Sequence, residues 1–386
     1  MKKKIYIGAD AIVSPLGFDT EENFRMVLAG ATKLAATEKP FRGSPFFASL
    51  FDEKVLDEHF SSMAEPLKYT RLEKISILAI EKVMKQSGVD MTSDRTLLIY
   101  STTKGNISLL ENSGLEKIPA NRVYLPILAE ELGRFFKCIN KPLVVSNACI
   151  SGVLALIIAA RLIRLGRYDH IVVAGGDIIS EFTLSGFQSF AALSPECCRP
   201  YDAARKGINL GEAAAAVLVT ADSGMTGKDR LFIAGGASAN DANHISGPSR
   251  TGEGLFQSVL AAMKEAGLNS ADFISAHGTA TEFNDEMESI AFSRAGLSAV
   301  PMHSLKGYYG HTLGAAGLVE SILSIQSLRK GKLIASAGFE NKGVSGDVNI
   351  IETGKDITMH TCIKTASGFG GCNAAAVFIR EGGANA

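Results

Sequence analysis

Cys149 is the residue in this sequence whose surroundings most favour chemistry. An apolar run ends at Val145, the cysteine follows among small residues, and residues 153–165 have the pattern of a helix. A thiol at such a junction lies near a helix N-terminus, where the helix dipole stabilises a thiolate. A thiolate is the nucleophile that acyl transfer requires. The other interpretation is a small cysteine buried in the core.

Further clusters carry residues that could assist such a nucleophile. His277 follows a predicted strand, and Lys306 and His311 lie together in residues 304–312. Near the end of the chain, glycines flank Phe369, which permits close approach of the backbone and mobility of the ring. Taken singly, each has a plain structural explanation, such as a hydrogen-bonding histidine, a solvated lysine or a turn.

Buried strands and helices must position these residues. Apolar runs predict strands at residues 4–13, 96–101, 143–146, 170–174, 213–220, 231–234, 273–277, 300–304, 332–336, 348–351 and 374–379. Helical patterns, such as those at residues 71–85 and 153–165, lie between them. This alternation predicts an α/β fold with a largely parallel sheet.

The second part of the chain repeats features of the first. Residues 149–153 open a helix that leads to an apolar strand, and residues 311–317 do the same. The alanine-rich segments 211–219 and 371–379 match more closely still. We therefore predict two related halves that share one core: residues 1–225 with the cysteine, and residues 226–386 with the histidines and the lysine.

The composition favours a globular enzyme. The 386 residues carry a formal net charge of -1, 20% are charged and 46% are hydrophobic. This charge gives no sign of a nucleic acid or an anionic membrane as partner, and we expect no signal peptide or membrane span. The six cysteines show no CxxC spacing, so we predict reduced thiols, no metal site and a cytoplasmic location.

Together and in this order, the clusters resemble the elongating β-ketoacyl-acyl-carrier-protein synthases of the thiolase superfamily. The resemblance covers nearly the whole chain, and the matching segments are Val13-Ser14-Pro15-Leu16-Gly17, Cys149, Arg199-Pro200-Tyr201-Asp202, Gly211-Glu212, His277-Gly278-Thr279, Lys306, 310–317 and Gly368-Phe369-Gly370-Gly371. It implies a thiolase-like fold with duplicated α/β halves in a five-layer α-β-α-β-α arrangement. It also implies a homodimer, although a heterodimer with a paralogue stays open.

The resemblance implies a reaction as well. Cys149 accepts an acyl group from the phosphopantetheine arm of acyl carrier protein, malonyl-carrier protein loses carbon dioxide, and its carbanion attacks the acyl-enzyme. The product is a β-ketoacyl thioester extended by two carbons, in fatty acid biosynthesis or in a polyene or polyketide pathway. No metal or resident cofactor is implied, because the thioester is itself reactive.

Catalytic roles follow from the same resemblance. His277 and His311 stabilise the enolate that forms as carbon dioxide leaves. Lys306 supplies positive charge and is paired with Glu288, and Asp285 supports this group. The alternative for both carboxylates is a solvated helix start.

The resemblance also assigns the contacts with substrate. The backbone N–H groups of Cys149 and Phe369 form the oxyanion hole, and Phe369 gates the second substrate. Thr279 and Thr281 bind the phosphopantetheine arm. Phe187 lines the acyl pocket or, alternatively, is an ordinary core aromatic residue.

Lys104 departs from the family pattern. It stands in Thr103-Lys104-Gly105-Asn106, where family members with long acyl pockets have small and apolar residues. A lysine beside a hydrocarbon tail is costly unless its amine reaches water or a partner. We therefore expect Lys104 to contact a substrate whose acyl chain is short, polar-ended or a conjugated polyene.

Two other functions compete with an autonomous synthase. A chain-length-determining partner in a ketosynthase heterodimer lacks the nucleophile, whereas Cys149, His277 and His311 are all present here. A thiolase or an initiating synthase that uses coenzyme A thioesters replaces one of the two histidines. The paired histidines therefore favour the elongating enzyme.

Overall fold

The computed structural model describes residues 3–37, 46–111, 117–244 and 247–382, which form an eleven-stranded sheet with helices on both faces. The strands are β1 (Tyr6–Val13), β2 (Thr96–Ser101), β3 (Leu143–Val145), β4 (His170–Asp177), β5 (Ala213–Thr220), β6 (Leu231–Asn240), β7 (Phe273–Ser275), β8 (Pro301–His303), β9 (Asn349–Ile350), β10 (Thr361–Gly368) and β11 (Cys372–Arg380). Their order is β9-β8-β7-β10-β11-β6-β1-β5-β4-β2-β3. Strands β1 and β6 pair over two residues, so two half-sheets meet at a short seam.

The helices are α1 (Thr20–Leu28), α2 (Glu53–Ser61), α3 (Arg71–Ser87), α4 (Leu125–Phe135), α5 (Ser151–Arg164), α6 (Glu181–Ser189), α7 (Glu253–Ala266), α8 (Glu282–Arg294), α9 (Lys306–Tyr309) and α10 (Ala316–Lys330). Short 3-10 turns cover Pro66–Lys68, Ile107–Leu110, Ala120–Val123, Ser223–Met225 and Leu313–Ala315. Short strands outside the main sheet cover Ala35–Ala36, Phe47–Ser49, Leu210–Gly211, Lys332–Leu333 and Lys355–Asp356. Within the described ranges, none of the helices has the length and apolar character needed to cross a membrane.

Apolar cores show how the layers stack. Helices α2, α3 and α4 pack on the outer face of the half-sheet β1–β5, and α7 and α8 pack on the outer face of the half-sheet β6–β11. Helices α5 and α10 lie between the half-sheets. Strands covered on both faces are apolar throughout, which is why they read as continuous runs in the sequence. The result is the predicted five-layer α-β-α-β-α arrangement.

Strands β5 and β11 show the duplication in three dimensions. β5 lies beside β1, and β11 lies beside β6. In β5, Ala215 and Val217 face the central helices while Ala216 and Leu218 face the outer ones, and β11 alternates in the same way between its two cores. The turn Ser223–Met225 separates β5 from β6, and the domain division at residue 225 stays a prediction.

The strand directions differ from the prediction of a largely parallel sheet. The pairs β2–β3, β2–β4, β7–β8, β7–β10 and β8–β9 are parallel. The pairs β1–β5, β1–β6, β4–β5, β10–β11 and β6–β11 are antiparallel. Strands β10 and β11 follow each other through a tight turn, and a turn that short can join only antiparallel strands.

Two further elements differ from the prediction. Strand β10 is absent from the predicted strands because Lys364 and Thr365 interrupt its apolar run. The strand predicted at 332–336 shortens to Lys332–Leu333, which pairs outside the main sheet. Beyond it, the carbonyl of Ile334 lies 3.0 Å from Nδ1 of the His303 side chain instead of pairing with a strand.

Candidate active site

Cys149 lies in a tight turn between β3 and α5. Ala148, just before it, has a positive φ of 43°, a strained conformation for a residue with a side chain. The Ser151 hydroxyl holds the turn by donating to the Ala148 carbonyl (2.6 Å) and accepting from the Asn147 N–H (2.8 Å). The cysteine therefore precedes the first turn of α5, and it is 7% exposed.

Close helix packing brings His311 to this cysteine. A Cβ on Gly152 would lie 2.6 Å from the backbone nitrogen of Leu318, and one on Gly317 would lie 2.7 Å from a side-chain carbon of α5. Helices α5 and α10 therefore approach to a distance that only glycine permits. As a result, Nε2 of His311 lies 2.9 Å from Sγ of Cys149.

His277 joins this pair from the end of β7. Its ring centroid lies 5.1 Å from that of His311, with an interplanar angle of 82°. Lys306, at the start of α9, places Nζ 3.2 Å from Nδ1 of His277 and also donates to the His277 carbonyl. Because an ammonium group can only donate, Nδ1 accepts and the imidazole proton lies on Nε2.

The carboxylate beside Lys306 is Glu320, and the predicted pair with Glu288 is wrong. Glu320 Oε1 lies 2.8 Å from Nζ of Lys306, and Oε2 lies 2.7 Å from Nζ of Lys364. The oxygens of Glu288 instead accept from the backbone N–H groups of His277 (2.9 Å) and of the following glycine (2.6 Å). Glu288 therefore holds the backbone that carries the histidine.

Asp285 holds the next part of the same loop. Its carboxylate accepts from the backbone N–H groups of Thr279 (2.8 Å), Ala280 (3.1 Å) and Tyr201 (2.7 Å). Burial raises the pKa of Asp285 to about 6. Asp285 and Glu288 are both buried, so neither belongs to a solvated helix start.

Burial favours the neutral forms of the three central groups. It raises the pKa of Cys149 to about 12, and the nearby Cys372 thiol adds to this effect. Burial also lowers the pKa of His277 and of His311 well below the usual imidazole value, and Lys306 lowers both further. Burial therefore favours the thiol form of Cys149, and a thiol can act as a nucleophile only once a base has removed its proton.

A cavity of about 460 Å³ opens over these groups. Its lining includes Cys149, His277, His311, Phe187, Phe369, Thr279, Thr281, Arg205 and Lys206. In the described part of the chain, the cysteine and the two histidines form the one group of three such residues that could hold a metal ion, with ligand atoms within 4.8 Å of one another. The absence of a metal from the reaction stays a prediction.

Comparisons with known proteins identify the family. Residues 2–224 match the family model of the beta-ketoacyl synthase N-terminal domain, and residues 231–340 match that of the C-terminal domain. The chain belongs to the β-ketoacyl synthase family. It is an acyltransferase of the thiolase superfamily with a thiolase-like fold.

Relatives of this β-ketoacyl synthase cover most or nearly all of its length. The 3-oxoacyl-[acyl-carrier-protein] synthase 2 of Rhizobium meliloti is 35% identical over 62% of this chain and 61% of its own. The synthase of the same name from Vibrio cholerae is 27% identical over 98% of this chain and 99% of its own. A chain from the solved complex of a ketosynthase with its chain length factor, from Xenorhabdus doucetiae, has the same fold, with a TM-score of 0.87, 23% identity and 98% coverage of both chains.

The cavity of this β-ketoacyl synthase brings together most of the residues predicted to meet substrate. The hydroxyls of Thr279 and Thr281 lie 2.7 Å apart. The ring of Phe187 stands edge-on to His311, at 6.4 Å and 90°, and lies 5.6 Å from the ring of Phe369. Phe187 is therefore part of the site and not a distant core residue.

Phe369 sits on the hairpin between β10 and β11. The two glycines that follow it have positive φ values of 84° and 71°, which suits a turn that only glycine adopts freely. A Cβ on Gly368 would lie 3.0 Å from the backbone nitrogen of Cys149. The backbone of this hairpin therefore packs directly against the segment that carries Cys149.

Lys104 lies outside the cavity lining, unlike the other predicted substrate-binding residues of the β-ketoacyl synthase. It is exposed on the loop after β2. Its Nζ lies 5.6 Å from the ring centroid of Phe182, on α6. Its contact with substrate stays a prediction.

Three buried charged residues of the β-ketoacyl synthase site are missing from the predicted set: Glu320, Lys364 and Asp177. Asp177 accepts from the Gly314 N–H (2.7 Å) and the Thr102 hydroxyl (2.8 Å), and so ties β2 and β4 to the turn before α10. Each of the three is a single charge in a run of apolar or small residues. That pattern is a usable signal, because a buried charge must be paired.

Proposed function

We propose that this β-ketoacyl synthase forms its acyl-enzyme on Cys149 with His311 as the base. The observation that carries the proposal is the 2.9 Å contact between Cys149 Sγ and His311 Nε2 at a cavity open to substrate. His311 takes the thiol proton as the sulfur attacks the thioester carbonyl, and then returns it to the departing phosphopantetheine thiol. Nδ1 of His311 has no hydrogen-bond partner in the described residues, so no such contact fixes the ring in one tautomer.

His277 acts in the condensation step. Because Lys306 makes Nδ1 an acceptor, the Nε2–H group of His277 is free to donate to the thioester carbonyl of malonyl-carrier protein. Donation from His277 and His311 stabilises the enolate as carbon dioxide leaves. The enolate carbon then attacks the acyl carbonyl, the Cys149 sulfur departs, and the product is two carbons longer.

The backbone N–H groups of Cys149 and Phe369 serve as donors to the oxyanion of the tetrahedral intermediates. The close packing of Gly368 against the Cys149 nitrogen supports this role. Phe369 is 38% exposed, and its ring centroid lies 5.6 Å from that of Phe187 and 5.1 Å from that of Phe190. A partly exposed ring on a glycine turn suits a gate that opens for the second substrate.

The thioesters arrive on the phosphopantetheine arm of an acyl carrier protein. Thr279 and Thr281 line the cavity, and so do Arg205 and Lys206. The Lys206 side chain is 57% exposed, which places a cation at the solvent end. Such cations suit the phosphate of the arm and an acidic carrier protein. The reaction as written uses no metal or resident cofactor, and dialysis against a chelator tests this.

Lys104 limits the acyl chain to one that is short, polar-ended or a conjugated polyene. The support is its exposed position on the loop after β2, with Nζ 5.6 Å from the ring centroid of Phe182, because an ammonium group beside a hydrocarbon chain must keep contact with water or a polar partner. A panel of acyl-carrier proteins, tested on wild type and on Lys104→Leu, checks the proposal. The variant should gain longer saturated chains, and an unchanged preference would contradict it.

A non-catalytic partner subunit is the second candidate. The complex from Xenorhabdus doucetiae, which pairs a ketosynthase with its chain length factor, motivates it. Such a subunit needs no nucleophile, whereas here Cys149 contacts His311 in an open cavity. The paired histidines likewise favour carrier-protein thioesters over coenzyme A thioesters, which a donor panel would distinguish.

The homodimer and the cytoplasmic location stay predictions. Strand β3 lies at the edge of the sheet, and Leu143 at its start is 39% exposed. An open strand edge can pair with a second chain. Light scattering on the purified chain, alone and with a paralogue, distinguishes a homodimer from a heterodimer, and cell fractionation tests the location.

The decisive experiment is intact mass spectrometry. Wild type, Cys149→Ala and the matched control Cys138→Ala are incubated with acyl-carrier proteins, and malonyl-carrier protein is then added. We expect an acyl adduct on wild type and on the Cys138→Ala control, and none on Cys149→Ala. After malonyl-carrier protein is added, the adduct should be lost and a β-keto product two carbons longer should form. If no adduct forms with any donor, the chain does not act alone, and the partner-subunit function is favoured.

A further inference from the structure

Lys364 is a fully buried cation that the reaction described above does not use. It lies in β10 opposite Ser275 of β7, and its side chain is 0% exposed. Its ammonium group contacts Glu320 at 2.7 Å, the Ser275 carbonyl at 3.0 Å and the Ala276 carbonyl at 3.2 Å. Two of its N–H groups donate to backbone carbonyls, and the ammonium group also forms an ion pair with Glu320, so contacts on two sides hold the side chain.

Two lysines thus share one carboxylate behind His277. Lys306 contacts one oxygen of Glu320 and Lys364 contacts the other. Burial raises the pKa of Glu320, but the two lysines outweigh it and hold that pKa below its usual value. The carboxylate is therefore charged, and it links the lysine that touches the imidazole to a lysine that does not.

The same lysines also hold the backbone on which His277 sits. Lys364 donates hydrogen bonds to the carbonyls of Ser275 and Ala276. Lys306 donates to the carbonyl of His277 itself. The backbone N–H groups of His277 and Gly278 donate to the carboxylate of Glu288. The end of β7 is therefore fixed by cations on its carbonyls and by a carboxylate on its amides.

We propose that Lys364 is a positioning residue for condensation: through Glu320 it fixes Lys306 against His277, and through two carbonyls it fixes the strand end that carries this histidine. The inference rests on the proposed function of His277 and deepens it. Lys364 contacts neither Cys149 nor His311 in the described structure. It should therefore matter for the malonyl step and not for acyl transfer to Cys149.

Single-turnover kinetics on the full chain separate the two steps. Lys364→Met removes the charge but keeps a side chain of similar length. Lys364→Gln also removes the charge but keeps an N–H donor, and it is the alternative if Lys364→Met does not fold. Intact mass spectrometry measures acyl loading. Condensation is measured as the loss of the acyl-enzyme after malonyl-carrier protein is added. We expect near-normal loading and a fall in condensation of about tenfold or more, because small misplacements are costly in catalysis.

Arg329→Met is the matched control. Arg329 lies on α10, the helix that carries Glu320, and it makes an ion pair with Asp10 (2.7 Å) and a bond to the Gly8 carbonyl (3.1 Å). It is nine residues from Glu320, about 13 Å along the helix. Both steps should stay at the wild-type rate in this variant.

The pH profile supplies a second readout that mere loss of packing would not move. His277 is faced by Lys306 from α9, Lys364 from β10, Glu288 from α8 and the neighbouring His311. Burial and then these cations lower its pKa. Removal of one cation should therefore shift the acid limb of condensation to higher pH.

The outcomes separate this inference from the function on which it rests. If wild type neither loads nor condenses, the proposed function fails, and this inference falls with it. If wild type does both and the Lys364 variants match it, the positioning role is overturned. Equal loss of loading and condensation would also overturn it, since that would show general damage to the site.

Discussion

Sγ of Cys149 and Nε2 of His311 lie 2.9 Å apart, although 162 residues separate them along the chain. Each residue precedes a central helix, α5 or α10, and the two helices touch at glycines in their first turns. The contact between the thiol and the imidazole is therefore a direct consequence of how the two halves of the protein pack.

Gly152→Ala should separate this pair. The added Cβ would lie 2.6 Å from the backbone nitrogen of Leu318, so α5 and α10 must move apart. We expect a loss of stability of about 1–3 kcal/mol and a fall in acyl loading of about a hundredfold, measured by thermal unfolding and by intact mass. Gly227→Ala, where a Cβ meets nothing within 4 Å, is the control, and normal loading by Gly152→Ala would contradict the prediction.

Glu320→Gln and Glu288→Gln should behave differently. An amide at 320 cannot neutralise two lysines, so Lys306 should leave His277 and condensation should fall by about tenfold to a hundredfold, while loading of Cys149 continues. An amide at 288 would set its NH₂ group against a backbone N–H, which should cost about 1–3 kcal/mol of stability. Chemical denaturation and single-turnover kinetics measure the two effects.

This comparison also shows whether Glu320 or Glu288 is the functional partner of Lys306. If Glu288→Gln were fully stable and lost only condensation, Glu288 and not Glu320 would be the functional partner of the lysine. Loss of both steps in both variants would show that neither carboxylate acts selectively.

Phe369→Ala should weaken the gate. The ring contacts Phe187 and Phe190 over the cavity, and without it water should reach the acyl-enzyme more easily. We expect faster hydrolysis of acyl-Cys149 in the absence of malonyl-carrier protein. The measurement is the rate at which the mass of the acyl adduct disappears. Phe283→Ala removes another ring from the cavity lining, and equal hydrolysis in that variant would count against a specific gate.

Condensation should persist at acid pH. Burial, and then Lys306, lower the pKa of His277 and of His311 well below the usual 6.5. As pH falls through 6.5 the two rings therefore stay neutral, and the rate should be retained there. Asp285, whose pKa burial raises to about 6, gains a proton in the same range, so Asp285→Asn is measured in parallel. A wild-type rate that halves at or above pH 6.5 would contradict the prediction.

Local patterns in the sequence were sufficient for most of the buried strands and for the duplication, and they marked Cys149 as the candidate nucleophile, while the five layers came from the family resemblance. Strands buried on both faces appear as continuous apolar runs, and the duplication appears as matching alanine-rich segments, because both features are written in neighbouring residues. Cys149 at a strand-to-helix junction is likewise a local signal. The family resemblance then supplied the two histidines, and the structure places them with Cys149 at one cavity.

Tertiary structure alone decided which charges meet. The family resemblance implies Glu288 as the partner of Lys306, but Glu288 binds the backbone of the His277 loop. The lysine is paired with Glu320, which it shares with Lys364. Ion pairing depends on the distance between side chains in space and not along the chain. Only the packing of α10 against β10 and α9 brings these three buried charges together.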